Sequence, residues 1–244
     1  IYYAYWETQW EADYVPYVDR VADLGFEALE VGAKPLPDYT AAQIAALRER
    51  AKARGIALTA GYGPSFDHNI GSSDEKIRQN ATEWFRRLFD VMGQLEICHL
   101  GGALYSYWPI DFTKPVDKEE DWKRSVEGMR IMADLASPYG IQLGMEVLNR
   151  FENHLLNTAE EGIRFVKEVD KENVRLMLDT FHMNIEEDNI PAAIRRAGSD
   201  LCHLHVGEQN RRVPGKGSLP WAEIGQALRD IDYQGGVVME PFVM

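Results

Sequence analysis

The chain alternates short apolar runs with longer stretches in which apolar residues recur every three or four positions. The runs cover residues 1–6, 28–33, 57–62, 97–103, 141–147, 174–179, 201–207 and 236–241. They are too short for buried helices and several are β-branched, so they read as strands. Between them the helical period predicts helices, among them 13–24, 40–54, 74–93, 118–139 and 158–169. Thr40 and Thr158 stand at N-cap positions, where a hydroxyl can accept from an orphan N–H of the first turn. Gly25, Gly55 and Gly140 stand just past helix ends, where the chain turns left-handed. Strict strand–helix alternation implies a parallel sheet, and eight such units imply a closed (β/α)8 TIM barrel. An open doubly wound sheet is the alternative, but the Gly-x-Gly-x-x-Gly turn expected after a nucleotide-binding strand is missing.

In a barrel, side chains along each strand alternate between lumen and helices, and sites gather at the C-terminal ends of the strands. Leu143, Met145 and Val147 are the bulky outward set of their run, which leaves Gly144 and Glu146 inward. Leu176 and Leu178 likewise put Asp179 inward at the end of its run. Cys202, Leu204 and Val206 leave His203 and His205 inward, and Val237 and Met239 leave Glu240 inward. Four successive strands thus each bring one acidic or imidazole side chain to the same rim. Their spacings are 33 (146 to 179), 26 (179 to 205) and 35 (205 to 240), about one strand–helix unit each. Three carboxylates at such close quarters repel unless a cation neutralises them. Three carboxylates and one imidazole suit Mn²⁺, Mg²⁺ or Co²⁺ rather than a thiolate-seeking metal.

Other polar residues fall near this rim: Arg150 and Glu152, His182 three beyond Asp179, and Arg211 four beyond Gly207. Arg150 and Arg211 read equally as loop ion pairs or substrate contacts. Tyr105-Ser106-Tyr107-Trp108-Pro109 could wall a pocket or pack beneath a loop. His99 and His203 have inward parity but lie deeper, as core histidines.

Composition narrows the picture. The 244 residues, 45% of them hydrophobic, suit one barrel domain spanning 1–244. The last run ends three residues before the C-terminus (241 to 244), and the first residue is Ile1, on a predicted strand. The expectation is a chain trimmed at both ends and lacking its final helix, with apolar surface left uncovered. A formal net charge of −13 repels polyphosphate, against nucleic acid or an anionic membrane as partner. The two cysteines, Cys98 and Cys202, sit in apolar runs and are expected as buried free thiols. No run approaches the ~20 apolar residues of a membrane span, and no signal pattern opens the chain, so the cytoplasm is expected.

With these residues in view, the sequence resembles the D-tagatose 3-epimerase and D-psicose 3-epimerase family from end to end. The specific stretches are 101–108 (GGALYSYW), 146–153 (EVLNRFEN), 177–184 (MLDTFHMN) and 203–208 (HLHVGE). The resemblance implies a metal-dependent ketose 3-epimerase that interconverts D-fructose and D-psicose, or D-tagatose and D-sorbose, through a cis-enediolate. It implies the same four metal ligands, with Glu146 and Glu240 also catalytic and Mn²⁺ the expected ion, Co²⁺ or Mg²⁺ its alternatives. Substrate-binding roles fall on Glu152, His182 and Arg211, and on Tyr2, Trp10, Gly61, Ala103 and Trp108. A small ketohexose partner and a homodimer or homotetramer are implied as well. The sequence departs from the pattern at Gly61-Tyr62-Gly63-Pro64, where relatives often carry His or another residue in place of Tyr62. On the residues alone, an aldose–ketose isomerase using the same metal set remains the alternative.

Overall fold

In the computed structural model, which describes residues 1–9 and 11–242, seven of the eight runs form strands. They are β1 (Ala28–Gly32), β2 (Ala57–Gly61), β3 (His99–Gly102), β4 (Gln142–Glu146), β5 (Val174–Asp179), β6 (Leu201–Val206) and β7 (Gly236–Met239). Every pairing is parallel, and the strands neighbour one another in chain order. That order excludes a doubly wound sheet, in which strand order reverses partway.

The expected strand over residues 1–6 is corrected by the structure. Tyr2 alone makes a parallel bridge, to Glu30. Its N–H donates to the Met239 carbonyl at 3.0 Å, while the Glu30 N–H donates to the Ile1 carbonyl at 2.9 Å. A single bridge therefore joins β1 to β7 and closes the ring. Beyond it the chain enters a 3₁₀ turn, Tyr3–Tyr5. Ring packing accounts for the turn. Tyr3 is fully buried and meets both Tyr2 and Tyr14 edge-on, with centroids 5.0 Å apart in each case. A continued strand would point Tyr2 and Tyr3 to opposite faces.

The helices are α1 (Val15–Asp23), α2 (Ala41–Arg54), α3 (Glu75–Gln94), α4 (Lys118–Ala136), α5 (Ala159–Val169), α6 (Thr180–Glu186), α7 (Ile190–Ala197) and α8 (Trp221–Asp230). The helix expected to run to residue 139 ends at Ala136 and passes into a 3₁₀ turn, Ser137–Tyr139, containing Pro138. Proline has no N–H with which to continue the ladder. The Gln43 and Glu161 N–H groups donate to the Thr40 and Thr158 hydroxyls at 3.3 and 3.2 Å. Each such cap is worth about 1 kcal/mol. Gly25, Gly55 and Gly140 have φ of +82°, +65° and +67°, as their places past helix ends require. Among the described residues, no helix is long and apolar enough to cross a membrane.

The outward-facing Leu143, Met145, Leu176, Leu178 and Leu204 are fully buried, whereas Val237 on β7 is 51% exposed. Cys98 is exposed, correcting the expectation that both thiols are buried. It precedes β3 at the N-terminal end of the barrel, where strands open to water. Cys202 is buried, and burial pushes its thiol up to about 12. In the lumen, His99 occupies the space a side chain at 144 would need. A Cβ on Gly144 would lie 2.9 Å from the His99 ring. Gly102, with φ +127°, lets β3 pass close to the Tyr62 carbonyl, which a Cβ would meet at 2.1 Å.

Candidate metal centre

Strand parity delivers the predicted quartet. Glu146 ends β4, Asp179 ends β5, His205 is one residue from the end of β6, and Glu240 follows β7. Each offers one ligand atom, and these atoms lie within 4.8 Å of one another. All four side chains are buried. Asp179 doubles as the N-cap of α6: its Oδ1 accepts from the Phe181 N–H at 2.8 Å, and Oδ2 remains for the site. Tyr105 donates its hydroxyl to the Glu146 carbonyl at 2.8 Å and steadies the strand end.

Charge makes the case for a cation. Burial, reinforced by Glu240 and Asp179, pushes the Glu146 carboxyl well above its ordinary range. Burial also raises Asp179, to about 6, although the Arg211 guanidinium opposes it. For Glu240, burial is outweighed by His205 and Arg211, and its carboxyl is lowered. Carboxylates sharing a buried site are driven apart in this way when their charges are not balanced. His205 adds the second sign. Its buried Nδ1 lies 3.3 Å from Glu240 Oε2 and 3.7 Å from Glu146 Oε1, yet has no hydrogen-bond partner. An unpartnered imidazole nitrogen among three carboxylates is the donor set of an oxygen-rich divalent site, so the residues fit the group.

Above the quartet lies a cleft of about 510 Å³, large enough for a small organic ligand. Its wall includes Tyr2, Gly61, Ala103 and Trp108 together with Glu152, His182 and Arg211. Trp10 lies outside the described residues. Arg211 sits in a left-handed turn at φ +59°, with Nη1 at 3.0 Å from both Asp179 Oδ2 and Glu240 Oε2. Its guanidinium stacks over Phe181 at 3.8 Å and Phe242 at 4.8 Å. His182 Nδ1 accepts from the Asn149 backbone N–H at 3.3 Å and faces the Asn149 side-chain amide at 2.8 Å. That assigns the ring proton to Nε2, which lies 3.5 Å from Asp179 Oδ2. Burial and the Arg211 charge hold this imidazole well below its usual range, so it is neutral. Glu152 accepts from Asn149 Nδ2 and from the Trp108 indole N–H, both at 2.9 Å.

Several open readings resolve. Arg150 is an ion-pairing residue, held by Glu186 at 2.7 Å. The aromatic segment divides its work: Tyr105 is packed in the core while Trp108 lines the cleft. Tyr62 stacks its ring on Trp84 of α3 at 4.6 Å, and its hydroxyl meets His68 Nδ1 at 2.6 Å. His99 and His203 are stacked core residues, centroids 4.1 Å apart, and His99 Nε2 has no hydrogen-bond partner.

Three residues escaped the sequence reading. Glu30 on β1 is buried, with Oε1 2.6 Å from His205 Nε2. Its parity between Leu29 and Val31 was a usable signal, since the same alternation that found the quartet points it inward. Asn149, which orients His182 and Glu152, had no signal beyond its place in a family-like stretch. Glu208, last in the family-like stretch 203–208, had no more than that. Its buried carboxylate accepts from the Gly215 N–H at 2.6 Å, the Leu219 N–H at 3.2 Å and the Trp221 indole at 2.6 Å, pinning the loop that carries Arg211.

Comparison with known proteins identifies the family. Residues 18–244 match the family model of the xylose isomerase-like TIM barrel. The chain is 58% identical to a D-psicose 3-epimerase of Ruminiclostridium cellulolyticum, across 100% of this chain and 83% of that protein. It is 56% identical to a D-psicose 3-epimerase of Agrobacterium fabrum, across 100% and 84%. The crystal structure of a D-psicose 3-epimerase with D-tagatose from Clostridium cellulolyticum H10 superposes with a TM-score of 0.99, at 58% identity, covering 100% of this chain and 84% of that one. The chain belongs to the D-psicose 3-epimerase family of the xylose isomerase-like TIM barrels.

Proposed function

We propose that the protein is a ketose 3-epimerase that interconverts D-fructose with D-psicose, or D-tagatose with D-sorbose. Its relatives at 58% and 56% identity are named D-psicose 3-epimerases. The observation that carries the reading is the pair Glu146 and Glu240. Both are buried, both line the cleft, and β5 and β6 separate their strands in the sheet. Inverting a carbon centre needs an acid–base group on each face, and this pair supplies two.

In the reaction, one glutamate removes the proton from C3, and the C3–H electron pair moves toward the C2 carbonyl to give an enediolate. The other glutamate, protonated, returns a proton to the opposite face of C3, and the carbonyl re-forms. The reverse reaction exchanges their roles. Positioned proton transfer of this kind contributes about 10²–10⁴-fold. A divalent cation held by Glu146, Asp179, His205 and Glu240 would act as a Lewis acid toward the charge that develops on the substrate oxygens. Mn²⁺ is the proposed ion, and Co²⁺ or Mg²⁺ suits the same donors. His182 donates its Nε2–H to a substrate oxygen, Glu152 accepts from a hydroxyl near C1, and Arg211 faces the carbonyl side.

Proton NMR of D-fructose incubated with the metal-loaded protein in D₂O tests the reading. Deuterium is expected at C3 with D-psicose accumulating. Exchange at C1 with an aldose product would instead make the protein an aldose–ketose isomerase.

A further inference from the structure

Beneath the candidate centre lies a charged residue that the reaction outlined above does not use. Glu30, on β1, is 1% exposed in the barrel lumen. A buried carboxylate is costly unless its oxygens are satisfied, and each of these has a specific partner. Oε1 lies 2.6 Å from His205 Nε2, a residue 175 positions away on β6. Oε2 accepts from the Thr59 hydroxyl on β2 at 2.9 Å. His203 Nε2 is 2.9 Å from the same oxygen, but not in hydrogen-bond geometry. Thr59 thus fixes one oxygen and leaves the other to meet His205.

The consequence falls on the far side of the His205 ring. A carboxylate at Nε2 keeps the ring proton there and makes Nδ1 the lone-pair atom. Nδ1 is the nitrogen that faces Glu146 and Glu240. A proton on Nδ1 would find no acceptor in hydrogen-bond geometry, since that atom is buried without a partner. The ring is arranged to donate from Nε2 into Glu30 and to accept at Nδ1.

We propose that Glu30 is a positioning residue for the cation: through Nε2 it locks the tautomer and orientation of His205 and strengthens Nδ1 as a metal donor, with Thr59 holding Glu30 in place. The proposal rests on reading Glu146, Asp179, His205 and Glu240 as a metal set. Carboxylate partners of ligating histidines are typically worth about 10–100-fold in metal affinity.

The test is a titration of the metal-stripped full chain with Co²⁺ alone, followed by calorimetry and by the visible d–d absorbance of the bound ion. If the unaltered protein takes up no Co²⁺, the metal set itself is refuted. If it binds, Glu30→Gln is expected to weaken Co²⁺ by about 10–100-fold and to change the d–d bands. A loss of less than about fivefold with an unchanged spectrum overturns the proposal, because the expected range begins well above it. A lower melting temperature with unchanged Co²⁺ affinity overturns it too, since Glu30 would then be only structural. Should Glu30→Gln fail to fold, Thr59→Val carries the test. It removes one hydrogen bond to Oε2 and is expected to weaken Co²⁺ by about 2–10-fold, and unchanged affinity in that variant overturns the proposal.

Discussion

The quartet and the cleft wall above it are built in two different ways. Glu146, Asp179 and His205 sit on strands and Glu240 directly after one, so the sheet register sets their mutual geometry. Glu152 and Arg211 sit on loops and His182 on the short helix α6, and their geometry comes from particular side chains. Asn149 holds Glu152 and His182, while Glu208 pins the turn that carries Arg211. The lower layer therefore inherits the rigidity of the barrel. The upper layer depends on a handful of hydrogen bonds, any one of which can be removed without disturbing the sheet.

That contrast can be broken at either layer. The largest effect is expected from Glu146→Gln or Glu240→Gln, each lowering kcat by about 10²–10⁴-fold with circular dichroism unchanged. A variant that kept more than about a tenth of the rate would fall outside that range and remove the two-glutamate scheme. Stripping the cation with a chelator is expected to abolish turnover and lower the melting temperature. Mn²⁺ at about 1,000 times its Kd should restore roughly 4 kcal/mol of stability. A chelated protein with full activity would contradict the metal reading.

Glu208→Ala separates the layers. It frees the Arg211 loop and is expected to cost about 10²-fold in kcat/KM, chiefly through KM. Co²⁺ affinity should change far less, because the sheet holds the quartet in place even when Arg211 loses its bonds to Asp179 and Glu240. A parallel loss of metal affinity would mean that the two layers are one unit. Asn149→Ala is the mildest change. It removes the amide that orients His182 and Glu152, and steady-state kinetics should show a loss of about 5–30-fold, the scale of one or two lost hydrogen bonds.

The two layers also differ in how far the sequence discloses them. Glu146, Asp179, His205 and Glu240 are legible because a strand repeats every two residues. The bulky neighbours Leu143, Leu178, Leu204 and Met239 announce which side is out. The same rule points Glu30 inward, but its meaning is invisible locally because its partner His205 is 175 residues away. Arg211 is conspicuous as a charge, yet only the positive φ of its turn and the three bonds to Glu208 decide where it points. The stretch 1–6 misleads for a related reason. Its aromatic run looks like a strand, but the burial of Tyr3 against Tyr14 turns it after one bridge.

What the sequence determined by itself is the periodic part: the alternation of strand and helix, the N-caps at Thr40 and Thr158, and the inward set at the strand ends. These follow from interactions between residues a few positions apart, which hydrophobic period and local hydrogen bonding report directly. The tertiary structure alone decided how the ring closes through Tyr2, which nitrogen of His205 faces the carboxylates, and how Glu208 and Asn149 aim the cleft wall. Each of these joins residues on separate elements, and their geometry exists only after the barrel has brought those elements together.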